Sequence, residues 1–246
     1  MRQEIPRIFH FIWLGSDPMP PPAAGYIEGW RRLHPDWEVR MWTDDTIPWM
    51  RSHPFFDAEK NVVVRADILR YEILARYGGV YLDVDMECVK NIDDLLCGRR
   101  CFLGYQDERI VCNAVIGAVP MHQLLLKITQ HLRTRKNTFR FTPDVFSGPI
   151  LVTRMLAGVP DVTLFATSVF YPFHYNRKRK EPEGMTDRTH AIHHWDGSWI
   201  PKTGGAVRLY HRIIRFLYLW WFLPQVGITR SSESLTPVEE TAAVRE

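Results

Sequence analysis

Across Gly78 and Gly79 the sequence switches from a helical to a strand period, and the strand runs into carboxylates. Arg65 to Tyr77 is rich in good helix formers, with Leu69, Ile73 and Tyr77 on one stripe and Gly78 where a C-cap belongs. Directly afterwards Val80, Leu82, Val84 and Met86 alternate with Tyr81, Asp83, Asp85 and Glu87, so strand geometry puts the two aspartates on one face. A helix feeding straight into a strand is a unit of α/β architecture.

The same alternation continues on both sides. Ile8 to Trp13 is a short aromatic-rich strand stopped by Gly15 and the prolines at 18 and 20–22, Trp30 to Leu33 belongs to a helix, and Glu38 to Trp42 alternates as a strand. Further strands are expected at Cys101 to Tyr105, Ala114 to Ala118 and Val162 to Phe165, with helices at Met121 to Arg133 and Ile150 to Leu156. The fold class is therefore α/β with a largely parallel central sheet. With 246 residues, 46% of them hydrophobic and 24% charged, the chain can bury a core. Residues 1–205 are expected to form one catalytic-sized domain, 206–228 a basic, aromatic amphipathic segment, and 229–246 a disordered tail.

A net charge of +3 makes no electrostatic case for a nucleic acid partner. Cys88, Cys97, Cys101 and Cys112 form no CxxC pair and no disulfide framework, so they read as small hydrophobes in a reducing compartment. The first residues, Met1 to Arg7, lack the apolar run of a signal peptide, and the longest apolar run, Ile213 to Pro224, is broken by Arg215. The expected location is the cytoplasm. Arg208, His211, Arg212 and Arg215 lie beside Leu209, Ile213, Phe216, Leu217, Trp220 and Trp221. That pattern suits an anionic membrane surface at residues 206–224, peripheral to the inner face, and equally a helix docked on protein. Arg177 to Lys180 reads as an exposed basic loop.

Two carboxylates at i and i+2 can hold a hard dication such as Mn2+ or Mg2+. With fifteen aspartates in the chain, one D-x-D is expected by chance, so the motif alone also fits a solvated strand end. Its place at the end of an apolar strand favours a ligand, because burying such charges without compensation is costly and α/β sheets bind ligands there.

The run Arg65-Ala66-Asp67-Ile68-Leu69-Arg70-Tyr71 followed by Tyr77-Gly78-Gly79-Val80-Tyr81-Leu82-Asp83-Val84-Asp85 resembles the D-x-D sugar-binding region of glycosyltransferase family 32. Phe9 to Gly15 is similar to that family's N-terminal I-H-x-x-W-x-G element, and His193 to Trp199 to its C-terminal H-x-x-x-S-W element. The resemblance spans residues 5 to about 200. It implies a GT-A-like nucleotide-sugar-binding fold and a metal-dependent transferase that retains anomeric configuration. The donor would be a UDP- or GDP-sugar and the acceptor a glycan or lipid-linked saccharide, as in polysaccharide biosynthesis. It implies further that Trp13 stacks on the base, that Asp67 and Arg70 contact sugar or ribose hydroxyls, and that Tyr81 lines the donor pocket. Asp85 would bind the metal directly and Asp83 would share ribose and metal, while Ser198 and Trp199 would belong to a loop over the diphosphate. For the third metal ligand His194 is the candidate, with Asp196 behind it.

Each residue also has a structural alternative: Trp13 as core, Asp67 and Arg70 as an i,i+3 ion pair, Asn113, Asp144 and Ser147 as turn and cap residues. Two rival functions stand beside the transferase. One is a non-catalytic sugar-nucleotide-binding protein. The other is a haloacid-type phosphatase, which fits less well because its D-x-D lies on the first strand and Glu87 occupies the usual Thr position.

Overall fold

The computed structural model describes residues 3–134, 142–174 and 184–196. Ser198, Trp199, the basic run 177–180 and the segments 206–228 and 229–246 lie outside the described residues. The chain opens with β1 (Ile8–Ile12), α1 (Pro21–Leu33) and β2 (Glu38–Trp42), the strand, helix, strand order read from the sequence. Then come α2 (Val62–Tyr77), β3 (Gly79–Leu82), β4 (Met86–Cys88) and a short α3 (Asp93–Leu96). The second half contains β5 (Cys101–Tyr105), β6 (Val111–Ala118), α4 (Gln123–Thr134), α5 (Pro143–Phe146) and α6 (Pro149–Met155). It continues through β7 (Val162–Phe165) and α7 (Thr167–Phe170) to β8 (Ala191–His193).

Six strands form the central sheet in the order β2-β1-β3-β6-β5-β7. β6 runs antiparallel to both neighbours and the other pairings are parallel, so the sheet is mostly parallel, as expected. Helices cover both faces. Tyr81 packs with α2, α4 and α6 residues such as Leu69, Leu125 and Leu151, whereas Val80 and Leu82 face Trp30 of α1 and Met86. This parity directs the side chain that follows, Asp83, towards α2.

One expected element is corrected. The strand expected to run to Glu87 ends at Leu82, and the Met86 amide closes a turn on the Asp83 carbonyl at 3.0 Å. The chain then enters β4, which pairs with β8 in a separate two-stranded sheet. Leaving the sheet at this point keeps two carboxylates out of its apolar interior.

Helix α2 starts earlier than the propensity pattern indicated because the Asn61 side chain accepts from the Val63 amide at 3.0 Å, an N-cap. At its other end Gly78 has φ +63° and Gly79 φ +93°, and a Cβ on Gly79 would lie 2.6 Å from the Ile8 carbonyl oxygen. Two glycines thus let α2 turn straight into a strand pressed against β1.

His10 locks that junction. Its Nε2–H donates to the Gly78 carbonyl at 2.8 Å and its Nδ1 accepts from Trp42 Nε1 at 3.1 Å, which joins β1, β2 and the α2–β3 turn. Accepting at Nδ1 needs a neutral ring, and burial lowers its pKa to about 4. His10→Ala is expected to destabilise the protein at pH 7 by about 2–4 kcal/mol, since it leaves a buried donor and acceptor unpaired in a cavity. The folded-state pKa lies below the ordinary 6.5, so between these values the unfolded chain binds more protons. The contribution of His10 is complete above pH 6.5 and is lost as the pH falls towards 4. Urea titrations of both proteins should give a difference that narrows on acidification; a constant gap would mean that the neutral imidazole is not what matters.

Candidate active site

From β1 the chain passes through α1 to β2 on one side, while β3 lies on the other. The carboxyl ends of β1 and β3 therefore flank a point where the strand order reverses, the position at which open α/β sheets leave a ligand crevice. Trp13 follows β1 and Asp83 follows β3. Trp13 is half-buried, with its amide bonded to the Trp42 carbonyl at 2.9 Å and its Nε1 donating to the Asp17 carbonyl at 2.7 Å. The loop it opens is tied down by Asp44, which accepts from the Gly15 amide at 2.7 Å and from Arg65 at 2.7 Å.

Beneath Asp83 lies a buried polar network supplied by α2. Asp67 accepts from Ser147 Oγ at 2.7 Å, Asn113 Nδ2 at 2.9 Å and Arg70 at 3.0 Å. Arg70 also donates to the Asn113 carbonyl at 2.7 Å and meets Asp83 Oδ1 at 3.0 Å, with its guanidinium 4.3 Å from the Tyr81 ring centroid. The Tyr81 hydroxyl donates to the same Oδ1 at 2.7 Å. Burial pushes Asp67 up to about 6 and the neighbouring Asp83 adds to the rise, while Arg70, Ser147 and Asn113 work against it. Burial opposes the charge on Arg70, but Asp83, Tyr81 and Asp67 outweigh it and hold the guanidinium protonated.

Asp67, Arg70 and Tyr81 are thus 3%, 5% and 2% exposed, a floor that fixes Asp83 from below. The ordinary surface ion pair considered for Asp67 and Arg70 is excluded by this burial. Asn113 and Ser147, weighed as turn and cap residues, bind Asp67 directly. Their role had no signal in local spacing because Ser147 lies 80 residues from its partner.

Asp83, Asp85 and His193 offer three ligand atoms that all lie within 4.8 Å of one another. His193 Nε2 is 3.1 Å from Asp85 Oδ1 and 3.9 Å from Asp83 Oδ2. Burial raises the pKa of Asp85, but His193 and the Asp196 amide more than offset it and hold the carboxyl below its ordinary range. Burial likewise works against charge on His193, and the carboxylates of Asp85 and Asp83 overcome it and raise its pKa. Two carboxylate oxygens and one imidazole nitrogen suit a divalent ion of the Mn2+ or Mg2+ kind, and Oδ2 of Asp83 stays clear of the Arg70 and Tyr81 bonds. The donor set fits a dication.

The histidine at this cluster is His193, which corrects the expectation of His194. β8 pairs Met86 with His193, and successive residues of an extended segment project to opposite sides. His194 Nε2 accordingly meets Glu87 Oε2 at 2.7 Å, and its ring stacks on Tyr26 at 4.5 Å. Asp196 does approach the site, through its backbone amide on Asp85 Oδ2 at 3.1 Å. His193→Ala is expected to weaken Mn2+ binding by about tenfold or more, whereas His194→Ala leaves it unchanged, as measured by calorimetry. The reverse ranking would reinstate His194.

The family described as the glycosyltransferase sugar-binding region containing the DXD motif matches residues 20–102, which include Asp67, Arg70, Tyr81, Asp83 and Asp85. The chain is 35% identical over 160 residues to inositol phosphoceramide mannosyltransferase 2 of Schizosaccharomyces pombe, covering 61% of this chain and 45% of that protein. It is 34% identical over 148 residues to mannosyl phosphorylinositol ceramide synthase CSH1 of Saccharomyces cerevisiae, covering 56% of this chain and 38% of that one. The chain thus spans less than half the length of these curated relatives. Among solved structures the PaToxG glycosyltransferase superposes with a TM-score of 0.54 at 17% identity, covering 63% of this chain and 69% of that one. That likeness is one of fold. Residues 20–102 thus match the glycosyltransferase sugar-binding region containing the DXD motif, carried on an α/β fold of the GT-A kind.

Proposed function

We propose that this chain is a metal-dependent, retaining glycosyltransferase that moves a hexosyl group from a nucleotide diphosphate donor to a lipid-linked acceptor. The observation that carries the reading is the convergence of Asp83, Asp85 and His193 at the crevice between the carboxyl ends of β1 and β3. A dication bound there offsets the negative charge that develops on the leaving diphosphate. Asp85 and His193 would hold the ion, while Arg70 and Tyr81 fix the Asp83 carboxylate beside them. Trp13, half-buried beside the crevice, offers its ring to the base of the donor. Retention follows by a front-side route in which the acceptor hydroxyl attacks from the side the diphosphate leaves. The bond from the anomeric carbon to the phosphate oxygen breaks, the new glycosidic bond forms, and the leaving diphosphate takes the proton.

The names of the yeast relatives favour mannose as the sugar and an inositol-phosphate-bearing ceramide as the acceptor class. The test is a panel of UDP- and GDP-sugars with Mn2+, with Mg2+ and with chelator, reading nucleotide release. Metal-dependent turnover of a mannose donor above the other sugars is the expected result. Donor binding by calorimetry without turnover, even with an inositol-phosphoceramide acceptor present, would instead support a non-catalytic sugar-nucleotide-binding protein.

A further inference from the structure

A metal-bound histidine ordinarily donates its second ring N–H to a carboxylate or carbonyl, and that bond fixes the ring. His193 lacks one. Its Nε2 faces the carboxylates, while its Nδ1 is buried and has no hydrogen-bond partner among the described residues. Packing must set the ring plane instead. The Trp195 ring lies over it with centroids 3.9 Å apart and planes at 44°, and Tyr171 meets it edge-on at 5.8 Å.

Trp195 is itself held in place. Its Nε1 donates to the Phe173 carbonyl at 2.8 Å, and its backbone has φ +54°, a conformation that costs a non-glycine residue about 1–2 kcal/mol. The reversal it makes brings the Asp196 amide back to Asp85 and completes a threefold grip by residues 193–196. His193 Nε2 reaches Oδ1 at 3.1 Å, the Asp196 amide reaches Oδ2 at 3.1 Å, and the His194 amide donates to the Asp85 carbonyl at 3.1 Å.

We infer that Trp195 is the positioning residue of the metal site, its ring taking the place of the missing hydrogen bond on His193. The inference rests on the metal-site reading above. It assigns two jobs to one residue: a left-handed turn that brings the Asp196 amide back to Asp85, and a ring that orients the imidazole.

The two jobs separate by substitution in the full-length protein. Glycine adopts positive φ readily, so Trp195→Gly keeps the turn and removes the ring; Trp195→Phe keeps a ring and loses the Nε1 donor. Mn2+ binding is read by electron paramagnetic resonance of the free ion, with melting temperatures as a folding control. Trp195→Gly should bind Mn2+ about 10–100-fold more weakly than the wild type, and Trp195→Phe should retain most of the affinity. His193→Ala and the double variant His193→Ala/Trp195→Gly should bind alike, because glycine keeps the turn and the Trp195 ring acts only through His193. Wild-type affinity in Trp195→Gly would overturn the inference, as would an equal loss in the phenylalanine variant. Absence of Mn2+ binding in the wild type would bring down the metal reading itself, a distinct result.

Discussion

Asp85→Asn should lower metal-dependent nucleotide release from the preferred donor by about 10²–10³-fold, the scale seen when one group that stabilises developing charge is removed. The substitution keeps the geometry. The asparagine oxygen can still accept from the Asp196 amide, which Asp85 takes through Oδ2 at 3.1 Å, while its Nδ2 replaces Oδ1 opposite His193 Nε2 and donates to the neutral ring, so the fold should melt within a few degrees of the wild type. What disappears is the negative charge, and with it the strongest ligand for a dication at a site where His193 already supplies a neutral donor atom once deprotonated. Mn2+ affinity and turnover should therefore fall together, the first by calorimetry and the second by nucleotide release. Turnover within threefold of the wild type would show that no metal held by Asp85 takes part, and the proposed reaction would lose its main support.

Arg70→Met is expected to destabilise the protein by about 3–5 kcal/mol, because it strands a buried carboxylate instead of removing a matched pair. Arg70 is the cation shared by Asp67 at 3.0 Å and Asp83 at 3.0 Å, and both arginine and Asp67 are nearly inaccessible. Ser147 and Asn113 would still bond Asp67, but two neutral donors do not replace a guanidinium in a low-dielectric floor. Methionine fills much of the volume, so the loss is electrostatic more than a cavity. Asp67→Asn should cost less. The double variant should lose about 1–3 kcal/mol less than the sum of the two single losses, the signature of coupled groups. Urea unfolding of the four proteins measures this cycle. An Arg70→Met variant within 1 kcal/mol of the wild type, or strict additivity, would mean that the network is ornamental to stability.

Local pattern carried most of the fold. Ile8–Ile12, Glu38–Trp42, Cys101–Tyr105 and Val162–Phe165 all emerge as strands where short apolar runs or, at Glu38–Trp42, alternation predict them. Each needs only the pleat period and a flanking turn residue to be read. The helix before Gly78 was legible for the same reason, although its N-terminus was set by Asn61, a single side-chain cap upstream of the propensity signal. The identity of Asp83 and Asp85 as a pair was legible too, since two residues apart is a distance that any tight local geometry can bring to one side.

What the sequence by itself determined was the set of elements and the two carboxylates; what only the tertiary structure decided was who meets them. The expectation that Asp83 and Asp85 share a continuing strand failed because the chain turns at residues 83–85 to leave the sheet, a choice driven by the cost of burying both charges. The third ligand is His193 and not its neighbour, because the β4–β8 register puts His194 on the face of Glu87, which it bonds, while the turn at residues 83–86 carries the Asp85 side chain to His193. Ser147 and Asn113 join Asp67 from 80 and 46 residues away, and Arg70 reaches Asp83 across the α2–β3 junction. Backbone period is a local property and is written in neighbouring residues. Strand register and the partners of a buried charge are set by packing and by electrostatic compensation across the whole core, and no window of sequence contains them.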